Sequence, residues 1–175
     1  VNIYLGQTDL YSRITYNYPN LYAIMGDALN VDQMTLGMYS RVGLVLCVAA
    51  IGCVAAYMMS QRKQLSDATM VLLGAWCVLC CVFFLPRMHE RYGIVGEILL
   101  LCWALWLKKP RGFLYALLSI IPILSAYSQY LVQVPFFSLQ LGGVMNLVLM
   151  CLLSWEVVLA IRAEGQLEAK PEAAQ

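Results

Sequence analysis

Residues 70–107 read MVLLGAWCVLCCVFFLPRMHERYGIVGEILLLCWALWL, a short charged cluster between two long apolar runs. The first run extends from Met70 to Leu85 and the second from Ile94 to Leu107. Ionisable residues at the edge of hydrocarbon are costly, so such a cluster is a candidate functional site. Two guanidinium groups and an imidazole suit a phosphate better than a neutral ligand. The cluster consists of Arg87, His89, Glu90 and Arg91, and His89 is the only histidine of the chain.

The composition of the whole chain is typical of membrane proteins. Of its 175 residues, 62% are hydrophobic and only 12% are charged, and the mean hydropathy is +0.73. A soluble domain of this length has a larger charged fraction and lacks a series of membrane-length apolar runs. The formal net charge of +1 provides no basic field, so nucleic acid is not an expected partner.

The apolar runs predict an all-α fold, a polytopic transmembrane helix bundle with about five spans. A spanning helix needs about 20 residues, within a range of about 17 to 25. The third run is shorter than this, so its helix spans only if it begins near Pro86, a residue favoured in first turns. Residues 87–92 then form its opening turns at the depth of the membrane interface. The predicted spans are about Tyr39–Met59, Ala68–Leu85, Pro86–Leu107, Phe113–Val132 and Phe137–Ile161.

The distribution of basic residues predicts the orientation and three regions. The links after the first and third spans and the start of the tail are richer in Lys and Arg, which places them in the cytoplasm. Residues 1–35 then form an extracytoplasmic interfacial loop, 36–161 the five-span region and 162–175 a polar cytoplasmic tail. The polar opening from Val1 fits the C-terminal part of a longer membrane protein. The deciding residues are Arg62, Lys63, Lys108, Lys109, Arg111 and Arg162.

The N-terminal segment is rich in tyrosine and allows two interpretations. Tyr rings favour the membrane interface, so the simpler one is a loop that lies on the bilayer. In the other, rings and amides of this segment line a site for a sugar or a lipid headgroup. The spacing does not choose among Tyr16, Tyr18 and Tyr22.

The cysteines and the acidic residues of the spans have structural interpretations. Cys77, Cys80 and Cys81 form a CxxCC pattern, which on a soluble loop indicates metal or redox chemistry. Their neighbours are apolar, so we interpret them as packing residues and predict no metal site. In a continuous helix, His89, Glu90 and Glu97 fall near one stripe. Glu97 then points into the same cavity as the cluster, or pairs with Arg91 or another helix.

The charged cluster also has a purely structural explanation. Arg and His at the end of a span anchor a helix to lipid headgroups. Arg87 and Glu90 have the i,i+3 spacing of a helical salt bridge, which needs no ligand. Residue types and spacing leave both explanations open.

A resemblance adds to the functional interpretation. Residues 84–92, which read FLPRMHERY and precede a Gly-bearing apolar helix, resemble the motif of multi-spanning C-type (GT-C) glycosyltransferases. The chain is similar there to bacterial relatives of the eukaryotic mannosyltransferase that adds the second mannose to GPI anchors. Residues 16–22, which read YNYPNLY, resemble the Asn-rich aromatic outer loop of that group. The rest of the chain matches only as hydropathy.

The resemblance implies an integral membrane enzyme of the bacterial cytoplasmic membrane, with its active side extracytoplasmic. It would transfer a mannose-like sugar from a polyprenyl-phosphate carrier to an acceptor, with the carrier and membrane lipids as partners. Arg87 and Arg91 would hold the leaving phosphate, and His89 would donate a hydrogen bond or a proton to it. Glu90 and Glu97 would support them. The residues expected on the sugar or acceptor side are Tyr16, Asn17, Tyr18, Asn20 and Tyr22.

The same resemblance places the catalytic base in an outer loop upstream of Val1. Many relatives use a divalent metal, which would be bound elsewhere in the full protein. The competing class is non-enzymatic: a flippase for lipid-linked sugars, a transporter part or a scaffold subunit, which also needs a basic site for a lipid phosphate. An upstream loop with Asp supports the enzyme, whereas paired repeats with broken helices support a transporter.

Overall fold

The computed structural model describes residues 13–25, 32–61, 64–108 and 110–168, which form helices and no strands. Two short 3-10 helices cover Leu21–Met25 and Glu90–Gly93. The predicted all-α bundle is confirmed for these residues. The α-helices are α1 Gln33–Gln61, α2 Asp67–Phe84, α3 Ile94–Leu107, α4 Pro110–Val132 and α5 Leu139–Glu168.

Among the described residues, α1, α2, α4 and α5 are long and apolar enough to span a membrane. This is the pattern of an integral membrane protein. Helix α3 has 14 residues and is therefore about 21 Å long, shorter than the ~30 Å hydrocarbon core of a bilayer. The prediction of about five spans is thus corrected to four helices of spanning length, with α3 packed between α2 and α4.

The predicted start of the third helix near Pro86 is wrong. Arg87 has a φ of 61°, in the left-handed region, and His89 has an extended backbone. The N–H of Arg87 donates to the carbonyl oxygen of Ile14 at 2.6 Å, and the N–H of Tyr16 donates to the carbonyl oxygen of Met88 at 3.1 Å. Because residues 87 and 88 already pair with a distant segment, they do not form the first turn of a helix.

Capping residues fix where two of the helices begin. The carboxylate of Asp32 accepts hydrogen bonds from the N–H and the hydroxyl of Thr35, so α1 begins at Gln33, before the predicted Tyr39. These bonds hold the pKa of the Asp32 carboxyl below its ordinary value. Ser66 caps α2 by accepting from the N–H of Thr69 at 3.4 Å.

Helix α2 lies inside the bundle and α1 lies at its edge. Of the most apolar stretch of each helix, 50% is buried in α2 but only 11% in α1. Buried side chains of α2 pack against those of α5, and the indole N–H of Trp76 donates to the hydroxyl of Ser154 at 2.9 Å. The exposed apolar side chains of α1 form the kind of surface that lipid tails cover.

The two ends of the bundle are built differently. At one end, Arg111 at the start of α4 forms a 2.9 Å salt bridge with Glu156 of α5, and the hydroxyl of Thr69 donates to Glu164 at 2.8 Å. The other end, which we call the loop end, consists of residues 13–25, 85–93 and 133–138. Two predicted elements of sequence therefore meet at the loop end: the aromatic N-terminal segment and the charged cluster.

Candidate functional site

Residues 13–25, which we call the inserted segment, pack between the helices at the loop end. Tyr18, Asn20 and Tyr22 are buried, and the backbone carbonyl of Pro19 accepts a 2.9 Å hydrogen bond from the side chain of Asn146 in α5. This part of the predicted interfacial region is a packed component of the bundle rather than a loop spread over a bilayer. The other residues before Asp32, namely 1–12 and 26–31, lie outside the described residues.

The side chain of Asn20 connects the inserted segment to α2. Its Oδ1 accepts from the N–H groups of Tyr22 and Ala23, each at 3.1 Å, and so starts the first 3-10 helix. Its Nδ2 donates to the carbonyl oxygen of Leu85 at 3.2 Å, just beyond the end of α2. Asn20 is fully buried and its amide has structural partners on both sides.

Tyr22 joins α1 to α2 through its hydroxyl. The oxygen lies 3.1 Å from the carbonyl oxygen of Tyr39 and 3.0 Å from that of Phe84, so the single hydroxyl hydrogen is shared between the two acceptors. Burial, with a smaller effect of Tyr39, raises the pKa of Tyr22 and keeps the hydroxyl protonated as the donor. Gly43 makes this approach possible, because a Cβ there would lie 2.4 Å from the Tyr22 hydroxyl and 2.3 Å from the Phe84 carbonyl oxygen.

Tyr18 lies deeper and contacts the α3 side of the site. A Cβ at Gly93 would lie 2.8 Å from its hydroxyl and 2.7 Å from Oε1 of Glu97, so the two side chains share one small space. Burial and then the nearby Glu97 raise the pKa of Tyr18 far above its ordinary value. Tyr18, Asn20 and Tyr22 were predicted to line a sugar site, and the structure places all three in buried structural positions.

Tyr16 and Asn17 instead meet the charged cluster. Isolated β-bridges join both residues to His89. The ring of Tyr16 stacks on the imidazole with centroids 5.0 Å apart at 26°, and Tyr92 meets the imidazole edge-on at 5.4 Å and 80°. The structure therefore places Tyr16 and Asn17, which were predicted on the sugar or acceptor side, next to His89, which was predicted to bind the phosphate. The His89 imidazole lies between the rings of Tyr16 and Tyr92.

The imidazole of His89 is partly withdrawn from water. Burial, followed by the positive charge of Arg91, lowers its pKa, and the negative charge of Glu90 opposes this shift. His89 is therefore neutral near neutral pH. A neutral imidazole presents one N–H donor and one acceptor, and it gains a second donor if an anion favours its protonation.

The two arginines of the cluster differ in environment. The side chain of Arg91 is 56% exposed; its Nη1 lies 3.9 Å from Oε1 of the buried Glu90 and its Cζ lies 5.6 Å from the centre of the Tyr92 ring. Nε of Arg87 is buried and has no hydrogen-bond partner among the described residues. The helical salt bridge between Arg87 and Glu90 does not form, because residues 87–89 are not helical and Glu90 pairs with Arg91.

Glu97 lies in the first turn of α3, and its carboxylate is buried. Oε1 of Glu97 has no hydrogen-bond partner among the described residues, and the Tyr18 side chain lies close to it, beside Gly93. His89, Glu90 and Glu97 were predicted to share one stripe of a continuous helix, and that helix does not form. Both Glu90 and Glu97 are nevertheless buried.

The CxxCC cysteines belong to α2 and pack in the bundle. Cys80 is buried, and the sulfur of Cys81 lies 3.7 Å from that of Cys47 in α1. Within the described ranges, no group of three or more His, Cys, Asp or Glu side chains is placed to hold a metal ion.

A cavity of about 280 Å³ lies on the other face of the inserted segment, between it and the α4–α5 connection. Sequence analysis missed this cavity. Its lining comes from two distant parts of the chain, residues 13–19 and residues 122–142, and no local pattern links Asn17 of the first to Gln129 of the second.

No protein-family model matches the chain, and no curated protein or solved structure is significantly similar to it. The functional argument therefore depends on the residues of the loop end themselves.

Proposed function

We propose that the chain is the C-terminal, carrier-binding portion of an integral membrane glycosyltransferase. The enzyme transfers a mannose-like sugar from a polyprenyl-phosphate carrier to an extracytoplasmic acceptor. One observation carries the proposal: the buried Nε of Arg87 lacks a hydrogen-bond partner among the described residues, in the same short loop as His89 and the exposed Arg91. A buried N–H of a charged group without a partner is costly, and a phosphate oxygen is a partner that removes the cost.

The three side chains have distinct roles in this proposal. Arg87 binds the phosphate from within the protein, whereas Arg91 reaches it from solvent while Glu90 holds the guanidinium through their 3.9 Å contact. His89 donates a hydrogen bond to a phosphate oxygen. As the bond from the sugar to the phosphate breaks, the electron pair goes to the phosphate, and preformed donors stabilise the charge that develops there. This leaving group is a weak base and needs no proton to depart.

The loop backbone and the His89 ring are held in place by contacts within the protein, which favours binding of a fixed group over headgroup anchoring. Backbone hydrogen bonds from Arg87 to Ile14 and from Tyr16 to Met88 hold the loop in its non-helical conformation. Stacking of Tyr16 on His89 orients the imidazole. A site whose donors are fixed in advance loses less conformational entropy when the phosphate binds.

The experiment compares Arg87→Ala and Arg91→Ala with the parent in a sugar-transfer assay on the full-length protein with a polyprenyl-phosphate donor. Each variant is expected to lose roughly 10- to 150-fold in kcat/KM, the equivalent of one hydrogen bond to a charged group. Lys at either position should restore only part of the rate, because Lys lacks the planar fork. Arg162→Ala, an exposed arginine at the opposite end, is the matched control and should keep the parental rate.

Parental transfer rates in both Ala variants would contradict the phosphate site and leave helix anchoring as the explanation. If the full-length protein bound a photoreactive polyprenyl phosphate through Arg87 and Arg91 but transferred no sugar, the flippase or scaffold class would replace the enzyme.

The proposed orientation has its own test. Gln64 and Phe136 lie at opposite ends of the bundle and both are exposed. In a background without accessible native thiols, Phe136→Cys should react with an impermeant thiol reagent in intact cells and Gln64→Cys should not. The reverse result would place the loop end in the cytoplasm.

A further inference from the structure

The cavity behind the inserted segment is a separate compartment of the loop end. Its volume is about 280 Å³, near the lower limit of the roughly 300–1,000 Å³ of ligand sites, so it suits a group about the size of one sugar ring. Its walls come from residues 13–19, the second half of α4 and residues 135–142, and none of the described lining residues belongs to the loop 85–93.

Some polar groups of the lining are already used by the fold. The hydroxyl of Ser125 donates to the carbonyl oxygen of Phe137 at 3.2 Å and accepts from the N–H groups of Phe136 and Phe137 at 3.1 and 3.2 Å. The hydroxyl of Thr15 donates to the carbonyl oxygen of Tyr18 at 2.8 Å. These bonds hold the walls in place. They use the full capacity of the Ser125 hydroxyl and the donor hydrogen of the Thr15 hydroxyl.

Two amide side chains of the lining remain available. Asn17 and Gln129 line the cavity, and neither side chain makes a hydrogen bond to another described residue. Both are partly buried, one in the inserted segment and one in α4. Each amide offers two donor hydrogens and an acceptor oxygen, which is the complement of neighbouring hydroxyl groups that both donate and accept.

The rest of the lining favours an uncharged ligand. Pro19, Pro122 and Phe137 provide apolar surfaces, and within the described lining there is no carboxylate. The one cation, Arg13, is exposed and therefore stands at the rim rather than inside. The described wall presents polar and apolar surface in about equal measure, which suits a ligand that carries hydroxyl groups on a carbon skeleton.

We infer that this cavity binds a small uncharged group rich in hydroxyls, held by the amides of Asn17 and Gln129 against the ring of Phe137. The group is either a monosaccharide or the glycerol headgroup of a lipid. The site is distinct from the loop 85–93, and the inserted segment separates the two. Binding at this cavity does not depend on whether the chain takes part in sugar transfer.

The test is saturation-transfer NMR with methyl α-mannopyranoside on the full-length protein in phosphatidylcholine nanodiscs. We expect saturable binding that Gln129→Met and Asn17→Gly each weaken about 2- to 12-fold, the equivalent of one neutral hydrogen bond. Gly is chosen at position 17 because Asn17 has a φ of 61°, which Gly adopts without strain. Gln140→Met, at an exposed glutamine of α5, is the matched control and should bind the mannoside as the parent does.

Further arms of the experiment identify the source and the class of the ligand. Displacement of the mannoside by phosphatidylglycerol in the nanodisc supports the site with a lipid headgroup as its ligand, and lack of displacement supports it with a sugar. Displacement by inorganic phosphate would overturn the inference in favour of an anion site. Absence of mannoside binding, or binding that neither Gln129→Met nor Asn17→Gly changes, would also overturn it.

Discussion

The inserted segment and the charged loop 85–93 lie side by side at the loop end, but they differ in how their buried polar groups are paired. In the inserted segment, the Asn20 amide makes three hydrogen bonds and the Tyr22 hydroxyl contacts two carbonyl oxygens. In the charged loop, Arg87 Nε has no hydrogen-bond partner among the described residues and Arg91 is mostly exposed. Both regions are polar in sequence, so only the pairing of their groups distinguishes a structural role from a functional one.

The difference has an energetic basis. A hydrogen bond inside the fold contributes about 0.5–1.5 kcal/mol, whereas a buried polar group without a partner costs about 1–3 kcal/mol. A folded protein tolerates a buried polar group without a partner where a ligand supplies the missing hydrogen bond. Mutation of Asn20 or Tyr22, the paired residues of the inserted segment, should therefore change stability, and mutation of the charged loop should change activity.

The largest expected effect is on stability, at Asn20. Replacement by Ala leaves the N–H of Tyr22 and the carbonyl of Leu85 without their buried partner, whereas the N–H of Ala23 keeps the backbone carbonyl of Asn20 at 3.1 Å. At about 1–3 kcal/mol for each of these two groups, Asn20→Ala should lower the free energy of unfolding by about 2 kcal/mol or more. Denaturant unfolding in mixed micelles measures this. Asn17→Gly is the control and should stay within about 0.5 kcal/mol of the parent; equal stability of the two variants would show that the segment is not a structural element.

The next effect is on activity, at His89. Gln also donates a hydrogen bond, but it cannot be protonated and so cannot gain the second donor that His89 offers to an anion. His89→Gln should therefore slow transfer roughly 10- to 150-fold at saturating carrier, with the free energy of unfolding at neutral pH unchanged. Single-turnover kinetics with the polyprenyl-phosphate donor measures the rate. A loss of more than about a thousandfold would indicate proton transfer by the imidazole and contradict the hydrogen-bonding role.

A smaller effect is expected at Gly43 of α1, which lies against Tyr22 of the inserted segment and the end of α2. A methyl group there would lie 2.3 Å from the Phe84 carbonyl oxygen, which is backbone and cannot move aside. Gly43→Ala should therefore destabilise the protein by about 1–3 kcal/mol through overpacking. Gly37→Ala, in the same helix with open space around it, should instead stabilise by about 0.5–1 kcal/mol. If both changes stabilise equally in thermal unfolding, the close approach of α1 to the end of α2 is refuted.

The smallest effect is a pH dependence of stability. Because the folded protein lowers the pKa of His89, the unfolded chain binds more protons below about pH 6.5, and stability should fall as the pH is lowered through that value. His89→Gln should remove this component, which unfolding at pH 7.5 and 5.5 detects as a smaller difference. Bound phosphate should have the opposite effect and raise the pKa of His89 in an NMR titration. An unchanged pKa would mean that no phosphate oxygen reaches the imidazole.

Part of the candidate site could be predicted from sequence, and the reason is local. Arg87, His89 and Arg91 were identified from residue type and from their position between apolar runs, and the structure brings His89 together with Tyr16 and Asn17. The structural roles of Asn20 and Tyr22 could not be predicted, because their partners in α1 and α2 are distant in sequence. The same holds for the cavity lined by Asn17 and Gln129.

By itself, the sequence determined the helical class, the membrane-length helices and the chemical types in the charged loop. Apolar runs act within a few residues, so they can be recognised without a fold. The caps at Asp32 and Ser66 are equally local, but the structure was needed to show that α1 begins at Gln33 rather than near Tyr39. Only the tertiary structure decided that residues 85–93 leave the helix. Their backbone groups pair with Ile14 and Tyr16, and a backbone donor or acceptor takes whichever partner the folded chain brings within reach.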